Sequence, residues 1–307
     1  MAKRSLLQNS ILTFKGMAMG AADVVPGVSG GTIAFISGIY EELINSINKI
    51  NLGAFKVWRK EGFKAFWDHT NGTFFVFLFA GIGISIVTLA KLVTGLLKSH
   101  PVLLWSFFFG LIIASVWIIS KSVTKWSFGS VASLVLGAGV AYYITTIQSV
   151  ANVDAHWFVL LSGALAICAM ILPGISGAFI LLLLGSYDTV LSAITERDLV
   201  VIAIFAAGCV IGLLSFARVL KFLFSKFKNI TVALLTGFMI GSLNKVWPWK
   251  KTLDYRSNSH DEEVPFIQEN VLPGDFSGDD QLWFAVGCAV VGFLVIFILE
   301  RFAPEKE

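Results

Sequence analysis

Residues 26–47 read PGVSGGTIAFISGIYEELINSI, and residues 173–194 read PGISGAFILLLLGSYDTVLSAI. Aligned on their first prolines, Pro26, Gly27, Ser29 and Gly30 match Pro173, Gly174, Ser176 and Gly177. Gly38, Tyr40 and Glu41 match Gly185, Tyr187 and Asp188, and upstream Gly16 matches Gly163 in the same register. With a shorter spacer, AGIGISIVTLAKLV (80–93) lines up with AGCVIGLLSFARVL (207–220), which sets Lys91 opposite Arg218. FGLIIAS (109–115) then lines up with TGFMIGS (236–242). A single Pro-Gly-x-Ser-Gly match is weak evidence, but three blocks in the same order predict an internal repeat.

The 307 residues are 56% hydrophobic and only 14% charged, where a soluble domain carries about 25% charge. One soluble core of this size cannot hide that much apolar surface, so lipid is the expected solvent. Apolar runs of about 18 residues or more are membrane-span candidates. They fall at 73–97, 102–120, 128–147, 199–223, 230–247 and 281–300. Two further apolar regions, 5–48 and 156–194, are broken in the middle by Pro-Gly. The expected fold is therefore an all-α polytopic membrane protein of two repeats, 1–148 and 149–307. Each repeat holds a broken, re-entrant-like helical hairpin followed by three transmembrane helices. An odd number of crossings per repeat turns the second copy upside down. Such inverted repeats are a common transporter architecture, with the substrate site at the repeat interface near the midplane.

Basic residues set orientation. Lys3 and Arg4, the cations of 49–68, Lys121 and Lys125, Lys221, Lys226 and Lys228, and finally Arg301 and Lys306 all fall on one side if both termini are cytoplasmic. The opposite side then receives 98–101, 148–155 and the acid-rich loop 248–280. The stretch 53–68 mixes cations with Phe55, Trp58, Phe63, Phe66 and Trp67, as a helix lying in the membrane interface does. After the basic start, the apolar stretch runs into Gly and Asp rather than an Ala-x-Ala site, so no cleavable signal is expected. Cys168, Cys209 and Cys288 all lie in apolar segments, and the four histidines are scattered. Neither pattern suggests a disulfide framework or a metal site. No cofactor and no nucleic-acid partner is expected.

Proline disfavours helix at the residue before it and lacks a backbone donor. The helices entering the hairpins should therefore stop near Val25 and Leu172. New helices should begin just after, with Ser29 and Ser176 as N-caps. Helix starts present free N–H groups and partial positive charge, which suits an anion. Gly30, Gly31 and Gly177 would let a bulky anion approach the backbone. Non-helical backbone at membrane depth survives only inside protein or beside a watery cavity. The alternative is that Pro-Gly merely kinks helices for packing. Lys91 and Arg218 are intramembrane cations at equivalent positions and join the candidate anion-binding set, with snorkelling to the interface as the alternative. Asp23, whose counterpart is Met170, breaks the symmetry and is a candidate for coupling to a proton or sodium ion.

The two PG-x-SG segments, with GMAMGAADVVPGVSGGTIAFISGIYEEL (16–43) as the more specific, resemble the bacterial polyprenyl-phosphate transporter family. The resemblance covers nearly the whole chain. It implies an inner-membrane protein, not an enzyme, that returns undecaprenyl phosphate or a related carrier lipid to the cytoplasmic leaflet. The site residues it suggests are Pro26, Gly27, Ser29, Gly30, Pro173, Gly174, Ser176 and Gly177. Membrane polyprenyl-pyrophosphate phosphatases are a rival reading, since one such family also uses inverted repeats and a Pro-Gly-x-Ser loop. Their loop continues with Arg-Ser and is joined by a glutamate-rich motif. Here the serines are followed by Gly30-Gly31 and Gly177-Ala178. A small-anion channel or exporter is the third reading.

Overall fold

The computed structural model describes residues 4–24, 28–147, 155–257 and 263–301. The first broken hairpin is α1 (Leu6–Asp23), α2 (Gly30–Ile36) and α3 (Tyr40–Lys49). A further helix, α4 (Leu52–Thr70), leads to α5 (Gly72–Ser99), α6 (Pro101–Ser120) and α7 (Phe128–Thr146). The second half repeats the order with α8 (His156–Ile171), α9 (Gly177–Leu183), α10 (Tyr187–Glu196), α11 (Leu199–Lys226), α12 (Lys228–Ser242) and α13 (Leu282–Arg301). Four described helices, α5, α6, α7 and α11, are each long and apolar enough to cross a membrane. α9 and α10 together also pass that test but are bent by 108° at their junction.

The helix pairs recur between halves. α1 packs on α5 as α8 packs on α11, and α6 packs on α13 as α12 packs on α7. Glycines make these crossings. Gly16 and Gly81 approach the backbone of α5 and α1, and their counterparts Gly163 and Gly208 do the same between α8 and α11. Gly110 and Gly292 join α6 to α13, as Gly237 and Gly137 join α12 to α7. In lipid there is no hydrophobic drive between helices, so close backbone approach through small residues supplies much of the attraction.

The ends of the half-helices α2 and α9 also match. Gly38 (φ +75°) and Gly185 (φ +68°) take the left-handed conformation just past each helix. Beyond them, Ile39 N–H bonds to Ala34 O and Ser186 N–H to Leu181 O, both at 3.0 Å. This is the six-to-one closure of a Schellman cap, which favours glycine at that point. It explains why this glycine recurs in both copies.

Each half-helix folds back along the helix before it. Lys15 Nζ on α1 donates to Ser37 O at the end of α2 at 2.7 Å, and Ser162 on α8 bonds Ser186 Oγ at the start of α10 at 2.8 Å. Polar contacts then gather two ends of the molecule. At one end Arg4 pairs with Glu42, Asn71 donates to Glu42 at 2.9 Å, Lys228 pairs with Glu41 at 2.8 Å, and Thr124 N–H meets Asn229 Oδ1 at 3.1 Å. At the other, Asn244 bonds Thr145 at 2.8 Å and Trp249 Nε1 bonds Asp280 O at 2.8 Å.

Three features depart from the sequence reading. α12 stops at Ser242, short of the span expected over 230–247. α4 is not one straight interfacial helix, because Gly62 (φ +85°) kinks it. Segment 248–280 is not plain loop: β1 (Lys250–Ser257) and β2 (Glu263–Asn270) pair as an antiparallel ribbon. A polar two-stranded ribbon leaves no trace in a search for apolar helical spans, so the all-α expectation holds only for the membrane-embedded part.

Candidate functional site

The two breaks meet. α1 ends at Asp23 and α8 ends at Ile171, with Leu172 as its cap, so each helix stops just before its Pro-Gly pair. Ser29, in extended conformation, caps α2, and its Oγ accepts from Gly31 N–H at 3.1 Å. The same hydroxyl donates across to the other half, to Met170 O at 2.9 Å or Leu172 O at 3.3 Å. In return, Gly174 N–H donates to Thr32 Oγ1 at 2.9 Å. Side chains and backbone from both breaks thus satisfy each other. Ser29 and Thr32 are fully buried and Ser176 nearly so.

Glycine is required at two points of this junction. A Cβ on Gly31 would run into the carbonyl oxygens of Ile171 and Met170. Gly174 has φ +87°, and a Cβ there would also stand 2.9 Å from Phe238 O and Ser242 Oγ on α12. The second break is therefore wedged against the end of α12 as well as against the first break.

The two helix starts differ. Gly30 N–H donates to Asp23 Oδ1 at 2.7 Å, so the start of α2 already holds an anion, the chain's own carboxylate. An acidic group there is favoured by the partial positive charge of a helix start. Ser176 occupies the cap position of α9 but makes no side-chain cap bond. Met170 stands where Asp23 would be, so the carboxylate that serves the first start has no counterpart at the second. The sequence reading expected two equivalent cradles, but the first is filled by Asp23 and the second lacks a matching residue.

Pro173, Gly174, Ser176 and Gly177 are buried at the second break, and Ser29, Gly30 and Gly31 at the first. Pro26 and Gly27 lie outside the described residues. Lys91 and Arg218 are not brought to the junction. Both are exposed, on the outer faces of α5 and α11. Three other polar residues carry more of the geometry than the sequence suggested. Thr32 bridges the breaks; Lys15 is buried and holds the end of α2. Lys245 lies one turn beyond the α12 segment that touches Gly174. Lys15 had a readable signal, being a cation inside an apolar hairpin helix. Thr32 had none beyond its place in the motif. Among the described residues no cluster of His, Cys, Asp and Glu is arranged to hold a metal.

A family profile described as VCA0040-like, undecaprenyl phosphate translocase-like, matches residues 19–264, which include both breaks. The chain is 48% identical over 295 residues to a protein named polyprenyl-phosphate transporter from Vibrio cholerae serotype O1, covering 95% of this chain and 96% of that one. It is 31% identical over 315 residues to a protein of the same name from Staphylococcus aureus strain NCTC 8325, again covering 95% and 96%. No solved structure matches the chain.

Proposed function

The chain belongs to the VCA0040-like, undecaprenyl phosphate translocase-like family, and from that premise we propose that it carries polyprenyl phosphate from the outer to the cytoplasmic leaflet of a bacterial inner membrane. Both termini then lie in the cytoplasm, on the side of the Arg4–Glu42 and Lys228–Glu41 pairs. The supporting observation is the junction of the two breaks, where Ser29 and Thr32 of one half bond the backbone of the other. In this reading the junction is the barrier between the two sides, and the repeats are inverted about it.

The head group binds where the breaks meet and replaces the hydrogen bonds they make to each other. Ser29, Ser176 and the N–H groups of Gly30, Gly174 and Gly177 supply donors. Phosphate is an anion with several acceptor oxygens, and charge-assisted hydrogen bonds are about twice as strong as neutral ones. That difference offsets the loss of the junction bonds. Asp23 is the resident anion that the head group displaces from Gly30. A carboxylate moving off a helix start is a natural point at which to couple a proton or a sodium ion. The polyprenyl tail stays in lipid, and rocking of one half against the other exposes the head to the far side.

Purified protein in proteoliposomes tests this. Labelled polyprenyl phosphate should lose its exposure in one leaflet at a rate set by protein content. Equal rates in protein-free vesicles would remove the transport reading.

A further inference from the structure

On the acidic-loop side of the second break, α12 stops at Ser242 and the chain turns through Lys245 towards β1. Lys245 Nζ sits 4.5 Å from the centre of the Phe179 ring, on the half-helix α9. Lys250 Nζ sits 3.7 Å from the centre of the Trp105 ring on α6, and donates to Lys245 O at 2.7 Å. The Lys250 ammonium thus lies against the backbone of Lys245, and both side chains occupy one corner of the fold, each half-buried and each faced by a ring. Aromatic faces compensate a cation only in part.

Among the described residues neither is paired with a carboxylate. The segment that carries Lys250 also carries Asp254, Glu269, Asp275, Asp279 and Asp280, yet among the described residues none of these pairs with Lys245 or Lys250. Cations at the opposite end of the molecule are treated differently: Arg4 and Lys228 are both paired with glutamates. Burial, and behind it the Lys245 ammonium, pushes the Lys250 pKa well below the ordinary lysine value. Two like charges near one another in a half-buried place, with no carboxylate partner among the described residues, work against the fold. The fold does not need them either. In the register that matches FGLIIAS to TGFMIGS, Ile118 stands at the position of Lys245 in the first repeat and Val123 at that of Lys250. Both of those residues are buried and apolar.

We propose that Lys245 and Lys250 form a phosphate-monoester site at the outer mouth of the second break, which receives the head group before the breaks part. This rests on the transport reading above and adds to it a receiving station distinct from the junction. The chemistry fits. A phosphate monoester carries one to two negative charges near neutral pH and several acceptor oxygens. An ammonium has three donors. Lys250 spends one on Lys245 O, and Lys245 makes no hydrogen bond through its side chain among the described residues. The rings of Trp105 and Phe179 hold the ammonium groups without using their donors.

The test compares wild type with Lys245→Gln and with the double variant Lys245→Gln/Lys250→Gln in nanodiscs. Geranylgeranyl monophosphate and inorganic phosphate are titrated separately, and thermal unfolding is recorded. The Lys245→Gln variant should bind the lipid phosphate at least ten-fold more weakly, and the double variant weaker still. Both should unfold at the wild-type temperature or above, because an uncompensated charge has gone. Weak binding of inorganic phosphate with the same dependence on the lysines supports the head-group chemistry. Equal affinity for both probes assigns the site to free phosphate. Wild-type affinity in a folded double variant overturns the site. Lower stability with unchanged affinity gives the lysines a structural role and overturns it as well. In proteoliposomes the double variant should raise the half-saturating concentration of lipid and leave the maximal rate within a few-fold. Absence of transport in wild type would sink the carrier reading while the binding measurements still decide the lysine site.

Discussion

Ser29 Oγ lies 2.9 Å from the carbonyl oxygen of Met170, 141 residues further along the chain. One hydroxyl therefore caps a half-helix in the first repeat and ties it to the end of a helix in the second. Ser29→Ala removes both bonds. Loss of an N-cap costs about 0.5–2 kcal/mol, and an unpaired buried acceptor adds to this. The expected outcome is about 1–3 kcal/mol less stability in a detergent unfolding assay, together with a lower transport rate. Ser176→Ala, at a position that makes no cap bond, should cost less stability while still weakening head-group binding.

Thr32 isolates the bond across the junction. Thr32→Val keeps the shape and leaves Gly174 N–H buried without its acceptor, which should cost about 1–3 kcal/mol. Thr32→Ser restores the oxygen and should recover most of that loss. Equal melting temperatures for the valine and serine variants would show that the bond is unimportant.

Gly174 and Gly83 make a contrasting pair. Gly174→Ala must hold a side chain at φ +87° and push it against Phe238 O and Ser242 Oγ. The left-handed backbone alone costs about 1–2 kcal/mol, and the contact raises this further. Gly83 lies inside α5 with nothing near its missing Cβ. Gly83→Ala should be neutral or gain a little helix stability, up to about 1 kcal/mol. Thermal unfolding of the two variants reads the difference.

Asp23 tests the coupling idea. Asp23→Asn keeps a neutral acceptor for Gly30 N–H but cannot exchange a proton or hold a cation by charge. The variant should still equilibrate lipid between leaflets, while its uptake no longer responds to an imposed pH or sodium gradient. A response equal to wild type would assign coupling to another residue.

Lys91 and Arg218 are exposed on spans and touch neither break. Lys91→Ala and Arg218→Ala should leave transport within about two-fold of wild type, as surface substitutions of about 0.5 kcal/mol or less do. A loss of ten-fold or more in either would bring that side chain back to the substrate path.

The repeat was legible because its glycines answer local demands. Gly38 and Gly185 close Schellman caps, and Gly16, Gly81, Gly163 and Gly208 let helices touch. The helix stops before Pro26 and Pro173 were legible for the same reason, since proline acts on its immediate neighbours. What could not be read was which partners the freed groups choose. Asp23 turning back to Gly30, and Thr32 reaching Gly174, depend on how two distant breaks dock. Lys91 and Arg218 looked functional because they align, but alignment does not say which face of a helix looks inward. Lys245 fell inside the run read as a span over 230–247, whose helix stops at Ser242, and Lys250 opens a strand in what read as loop.

The central claim is that the junction of the breaks must part for lipid to move. In a cysteine-free background, with Cys168, Cys209 and Cys288 replaced, Ser29→Cys and Leu172→Cys would place two thiols across it. Leaflet-resolved transport is then measured with the pair cross-linked and again after reduction, with the cross-linked fraction determined by mass spectrometry. Transport should fall in proportion to the cross-linked fraction and return on reduction. Undiminished transport by fully cross-linked protein would contradict the claim.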